Sequence, residues 1–324
     1  GRSTVDVIEG AKYAHASWSK ASDGFFYTFL PVDPAIPTAA RPGHAELRHH
    51  RLGTDPKADL VVRGKTGDPS KFQSAVVAKD GSVLVVSTWH GWTSSDVWIQ
   101  DLRDGSVPGT RLTPLVVGRP HVYEVTAHAG KLWVKTDEGA PRGRIFEVDA
   151  RRLERAAWRE IVPEHPSRAL EDFALIGGKL AIKWLDQASS RLELLELTGA
   201  PARVIDLGGL ATVGALSGQP DADALYYSVE SFTRPTEVHR VSVASGEGAL
   251  DRLREDAGVS LLVVLRESGR PGVRDLLDGI RGSVDTAALT SASSSPKAAQ
   301  SSRSTWVARL IGQSITMVTT CSSL

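Results

Sequence analysis

Asp80-Gly81-Ser82-Val83-Leu84-Val85-Val86-Ser87-Thr88 and, 49 residues further on from glycine to glycine, Ala129-Gly130-Lys131-Leu132-Trp133-Val134-Lys135 decide the fold. Each is a small turn that runs straight into a strand of β-branched and aromatic residues. Glycine and aspartate tolerate the backbone that tight turns demand, and the residues after them suit a pleated, half-buried surface. The device occurs three more times. Asp23-Gly24 precedes Phe25–Leu30, Gly177-Gly178 precedes Leu180–Trp184, and Asp221-Ala222-Asp223 precedes Leu225–Val229. The interval from Gly130 to Gly178 is 48 residues; that from Gly24 to Gly81 is 57, the extra length lying in the Pro31–Pro42 loop.

A second strand follows each time, at Glu46–Leu52, Asp96–Leu102, Arg144–Val148, Arg191–Leu197 and Glu237–Val243, several of them alternating apolar and polar positions. Gly130 to Arg144, Gly178 to Leu192 and Ala224 to Val238 are each 14 apart. A repeat of about 45–50 residues with roughly four short strands fits a propeller blade better than a solenoid coil. Residues 1–245 therefore read as a partial all-β propeller of about five four-stranded antiparallel blades. The alternative is a β-sandwich, whose strands come at similar spacing; the constant offset from turn to second strand argues against it.

After Gly246 the rhythm stops. Ser291-Ala292-Ser293-Ser294-Ser295-Pro296, then Ser301, Ser302 and Ser304, form a low-complexity stretch with little to bury. Residues 246–324 are expected to be an irregular or partly helical tail, with short amphipathic helices at Leu250–Asp256 and Val273–Ile280.

Composition narrows the function classes. With 38 basic and 38 acidic side chains, 41% hydrophobic and 23% charged residues, the chain has no net field, which argues against nucleic-acid and membrane-surface partners. Its longest purely apolar run, Leu261–Leu265, falls far short of the roughly 20 residues of a membrane helix. The single cysteine, Cys321, excludes an intrachain disulfide, so cytoplasm and periplasm both fit. The start at Gly1-Arg2-Ser3, with Met317 as the only methionine, reads as a fragment or a processed product.

Several ordered strings carry a family resemblance: Val5-Asp6-Val7-Ile8-Glu9-Gly10-Ala11-Lys12-Tyr13, Trp18-Ser19, Asp23-Gly24-Phe25-Phe26-Tyr27, His49-His50-Arg51-Leu52-Gly53-Thr54-Asp55-Pro56 and Thr66-Gly67-Asp68-Pro69. Thr136-Asp137-Glu138-Gly139-Ala140-Pro141-Arg142, Phe146-Glu147-Val148-Asp149 and Ser231-Phe232-Thr233-Arg234-Pro235 continue them. Together they resemble the propeller of bacterial prolyl oligopeptidases, serine peptidases that cleave short peptides after proline. The resemblance covers about three quarters of the chain. It implies the last five blades of a propeller of the seven-bladed type, lying over the mouth of an α/β-hydrolase domain and admitting proline-containing peptides to it.

The nucleophile of that chemistry should sit in a Gly-x-Ser-x-Gly elbow. Ser82, Ser217, Ser245, Ser268 and Ser283 each touch one glycine, but no serine here has glycine two residues away on both sides. No catalytic residue is therefore expected in this chain; the hydrolase domain is the missing partner, and no cofactor or metal is implied. The resemblance assigns Tyr13, Phe72 and Trp92 to the propeller's side of the apolar substrate pocket. A flat aromatic wall suits an extended peptide and a proline ring; packing in a blade core or rim is the competing reading for all three.

Other clusters carry less. His44, His49 and His50 do not read as a metal site, because adjacent strand residues point to opposite faces. Asp137-Glu138 and Glu171-Asp172 read as solvated turn acids, and Arg151-Arg152 with Arg155 as a solvated basic face without interleaved aromatics. A shift of reading frame near codon 246 would account for the abrupt end of the match, and exposed sheet edges would make such a piece poorly soluble. The alternative function is a stand-alone propeller that binds peptides or proteins through its rim without catalysis, the tail serving as a flexible partner segment.

Overall fold

The computed structural model describes residues 6–10, 15–246, 303–310 and 313–320. They fall into two compact units, 1–247 and 248–324. Among the described residues there is no α-helix, only strands and three short 3-10 turns.

Five sheets follow one another along the first unit, each a meander. The first holds β1 (Ser17–Trp18), β2 (Gly24–Phe29), β3 (Glu46–Arg51) and β4 (Leu60–Arg63); the second holds β5 (Lys71–Val77), β6 (Val83–His90), β7 (Ser94–Asp101) and β8 (Thr113–Val116). The third holds β9 (Tyr123–His128), β10 (Lys131–Thr136), β11 (Arg144–Asp149) and β12 (Arg159–Val162). The fourth holds β13 (Ala169–Ile176), β14 (Lys179–Asp186), β15 (Ser189–Glu196) and β16 (Pro201–Ile205), and the fifth β17 (Thr212–Gly218), β18 (Leu225–Ser231) and β19 (Arg234–Val241). All pairings are antiparallel.

The turn-and-strand signal thus marks the second strand of every sheet, and the strand that follows it is the third. In four sheets the pairing of third with fourth strand shifts register once, at Leu47/Arg48, Val97/Trp98, Ile145/Phe146 and Leu194/Leu195. Such a bulge bends and twists the outer strand. The repeat is therefore structural as well as textual.

Face-to-face packing in chain order explains the unbroken apolar runs. Alternate residues of a strand point to opposite faces, so a strand buried on both sides reads apolar throughout. In β6, Leu84 and Val86 pack with Phe26, Leu47, Val77 and Trp98 against the first sheet, whereas Val83 and Val85 pack with Tyr123, Leu132 and Val134 of the third. In β10, Trp133 turns the other way and joins Ile145, Leu180, Ile182 and Trp184 between third and fourth sheets. Ala181, Leu192, Leu194, Val213, Tyr227 and Val229 fill the last interface. Each fully buried leucine, valine or isoleucine contributes about 1.5–3 kcal/mol, so the four interfaces hold the stack together. First strands approach one another, β1 to β5 and β13 to β17, as strands around a propeller axis do.

Meander geometry also sorts the loops by end. Strand direction alternates, so the hairpins joining second to third strands and the crossovers joining one sheet to the next all lie at one end of the stack. Leu30–Ala45, Gly91–Thr93, Asp137–Gly143, Gln187–Ala188 and Phe232–Thr233 are those hairpin loops.

In the second unit, β20 (Arg303–Leu310) and β21 (Gln313–Thr320) pair as an antiparallel hairpin. This corrects the expectation of an irregular or helical tail for these residues: Thr305, Val307, Ile315, Thr316, Val318, Thr319 and Thr320 are β-branched, and a short alternating segment outweighs serine-rich surroundings. The helices expected at Leu250–Asp256 and Val273–Ile280 lie outside the described residues.

Candidate functional site

The second sheet places two of the three predicted site residues. Phe72 is the second residue of β5 and is 54% exposed; Trp92 stands at the tip of the β6–β7 hairpin and is 98% exposed. Both lie at the loop end of the same sheet, because Lys71 pairs with His90 where β5 begins and β6 finishes. Neither is core packing. Tyr13 lies outside the described residues.

Trp89, which the sequence did not single out, belongs with them. It sits directly across from Phe72 in the β5–β6 ladder, so the two rings share one face of the sheet. Its indole nitrogen donates to Ser74 Oγ at 3.4 Å. The signal was available as two tryptophans three residues apart flanking a glycine turn, Trp89 and Trp92. What it lacked was the pairing register that brings Phe72 opposite.

The hairpin that presents Trp92 is held from several sides. Gly91, at φ +60°, donates its amide to Ser70 O at 3.2 Å, and Thr93 Oγ1 donates to His90 O at 3.2 Å. His90 Nε2 lies 2.8 Å from Asp96 Oδ2, and Asp96 Oδ1 accepts from the Gly118 amide at 2.7 Å. Next to it, the Ser70 hydroxyl bonded to Asp68 holds that carboxyl below its usual range. A fixed turn with an outward aromatic ring loses little entropy on meeting a ligand. Phe232 projects in the same manner from the matching β18–β19 hairpin and is fully exposed.

Acid–histidine pairs among the described residues serve as structural clamps. In the first sheet His50 is wholly buried, its Nδ1 2.8 Å from Asp59 Oδ1, while Tyr27 donates to Asp59 Oδ2 at 2.7 Å. Burial and the bond to Asp59 push the Tyr27 phenol far above its ordinary value, so it stays a donor. This is a closed clamp between β2, β3 and the stretch before β4. The Ser167 hydroxyl lies 3.5 Å from His165 Nδ1, and that nitrogen already accepts the Ser167 and Arg168 amides in a turn. His49 and His50 do point to opposite faces, His49 against Phe26 and His50 against Phe25.

Comparison with known proteins places this geometry. Residues 1–252 match the family model of the prolyl oligopeptidase N-terminal beta-propeller domain. The prolyl endopeptidase of Elizabethkingia miricola is 26% identical over 247 residues, covering 75% of this chain and 34% of that protein. A solved prolyl endopeptidase structure superposes with a TM-score of 0.72 at 41% identity, covering 76% of this chain and 36% of that one. Prolyl oligopeptidase B from Galerina marginata, bound to a 25mer macrocyclization substrate, shares the fold at a TM-score of 0.66 and 17% identity, over 75% of this chain and 34% of that one. The chain thus spans about a third of the length of the relatives it matches. It belongs to the prolyl oligopeptidase family, and what it carries of that family is the N-terminal β-propeller domain.

Proposed function

We propose that residues 1–245 supply five blades of a seven-bladed propeller, that they act as the substrate-gating part of a prolyl oligopeptidase, and that the catalysis belongs to an α/β-hydrolase domain on another stretch of protein. Tyr13, Phe72 and Trp92 would form the propeller's half of an apolar pocket for proline-containing peptides, with Trp89 beside Phe72. The observation that carries this reading is the pair of exposed aromatic side chains, Phe72 and Trp92, held at the loop end of one sheet in a chain of this family. Rings of this size gain free energy when their apolar surface is covered, and a peptide with a proline ring is a matching cover.

Tryptophan fluorescence of the full chain, titrated with a short amidated peptide of apolar residues around proline, tests it. Saturable quenching is expected, weakened about tenfold or more by the double substitution Phe72→Ala and Trp92→Ala, since two aromatic anchors contribute at least about 1 kcal/mol each. Equal titration curves for the two proteins would remove Phe72 and Trp92 from the site.

A further inference from the structure

On the opposite face of the second sheet from Phe72 and Trp89, at the same end, a cleft of about 270 Å³ opens between the first and second sheets. Its lining comes from alternate positions of three strands, Lys71 and Gln73 of β5, Thr88 and His90 of β6, Asp96 and Trp98 of β7, together with Arg63 and the crossover Gly64–Thr66. The whole crossover, residues 64–70, contains the Thr66-Gly67-Asp68-Pro69 string singled out in the sequence.

Two buried polar side chains in this lining each carry an oxygen without a partner. Gln73 is 7% exposed and Thr88 5%. The Gln73 amide nitrogen is committed to Gly64 O at 2.8 Å and Ala45 O at 3.4 Å, which leaves Oε1 without a donor; Thr88 Oγ1, directly across the ladder, also has no partner. A buried polar atom left unbonded costs about 1–3 kcal/mol, so a group that meets both is favoured.

The charge around them is positive. No carboxylate among the described residues comes within 4.0 Å of Arg63 or Lys65, and Lys71 reaches only Asp68, at 4.0 Å. Asp96 is the one acid in the lining, and both its oxygens are engaged, by His90 and by the Gly118 amide. Arg63 stacks its guanidinium 3.8 Å from the Trp98 ring centroid, so its charge is held over an apolar flank rather than spent on an acid.

Three cations demand an anion. Gln73 Oε1 accepts only, so it demands a donor beside that anion; acetate brings none, and inorganic phosphate brings a hydroxyl on the anion itself rather than an amide beside it. We propose that this cleft binds an α-amido carboxylate, the C-terminal end of a short peptide or an N-acylated amino acid, with Arg63, Lys65 and Lys71 around the carboxylate. Its amide N–H donates to Gln73 Oε1, and the Thr88 hydroxyl completes the contact. This site is independent of the aromatic wall, from which the second sheet separates it.

Calorimetric titration of the full chain with N-acetylglycine, N-acetylglycinamide, acetate and inorganic phosphate tests the proposal. N-acetylglycine is expected to bind, and the other three to bind about tenfold more weakly or not at all, since each lacks the carboxylate or the adjacent amide. Lys65→Gln, at an exposed position, and Thr88→Val, each with the β-sheet circular dichroism retained, should each weaken N-acetylglycine about tenfold. The proposal is overturned if N-acetylglycine gives no binding heat, if its amide binds equally well, or if phosphate is preferred.

Discussion

Asp59 and Asp101 show how environment decides what one aspartate contributes. Asp59 is closed off from water and holds His50 and Tyr27 from its two oxygens, so Asp59→Ala leaves two buried polar groups stranded. A loss of about 3–5 kcal/mol in urea unfolding is expected. Asp101 accepts from Arg103 first and from Arg151 second, and these hold its carboxyl well below the usual range, yet Arg151 is 62% exposed. Asp101→Ala should therefore cost about 1 kcal/mol or less. Similar losses from the two would contradict the assignment of a buried clamp. Tyr227 gives the alkaline side: burial pushes its phenol up to about 12 from 10.0, so the fold favours the neutral form. That contribution is complete below pH 10 and is lost as pH rises from 10 towards 12. Melting temperature between pH 9 and 12 should fall more steeply for the native chain than for Tyr227→Phe, and parallel curves would refute the desolvation argument.

At the scale of the element, the turns carry the repeat, and two glycines separate backbone freedom from close approach. Gly178, at φ +71°, has nothing within 4 Å of where a Cβ would stand, so Gly178→Ala should cost about 1 kcal/mol for the left-handed backbone alone. Gly199, at φ +89°, would drive a Cβ into the carbonyl oxygen of Ile161, the bulged residue of β12, so that backbone and not a flexible side chain would have to move. Gly199→Ala should cost more than twice as much by urea unfolding; equal costs would mean that the β15–β16 turn does not press on the third sheet. Elements of this kind differ in how legible they are from sequence. Second and third strands could be read because a glycine or aspartate turn joins long runs such as Val83–Val86 to an alternating partner. Fourth strands could not, because they run four or five residues, are half exposed and include Pro114 and Pro201, which removes both length and alternation. Which neighbour each side chain of an apolar run would meet was equally hidden, since Leu132 and Trp133 look alike in sequence yet serve different interfaces.

At the scale of the whole molecule, the candidate site divides along the same line. Phe72 and Trp92 could be named from a resemblance, and the chain's lack of a serine elbow could be read directly. Trp89 opposite Phe72, and the Arg63–Gln73–Thr88 cleft, needed pairing register, because their members come from strands whose spacing in sequence carries no pattern. The proposed function assigns the reception of peptides to the stacked sheets and the outward aromatic rings at their loop end, and the cutting to another domain. Mass spectrometry of a proline-containing peptide incubated with the purified chain tests this most directly. The account predicts that the peptide is recovered intact at every time point, whereas products ending in proline, formed in proportion to the amount of chain, would contradict it.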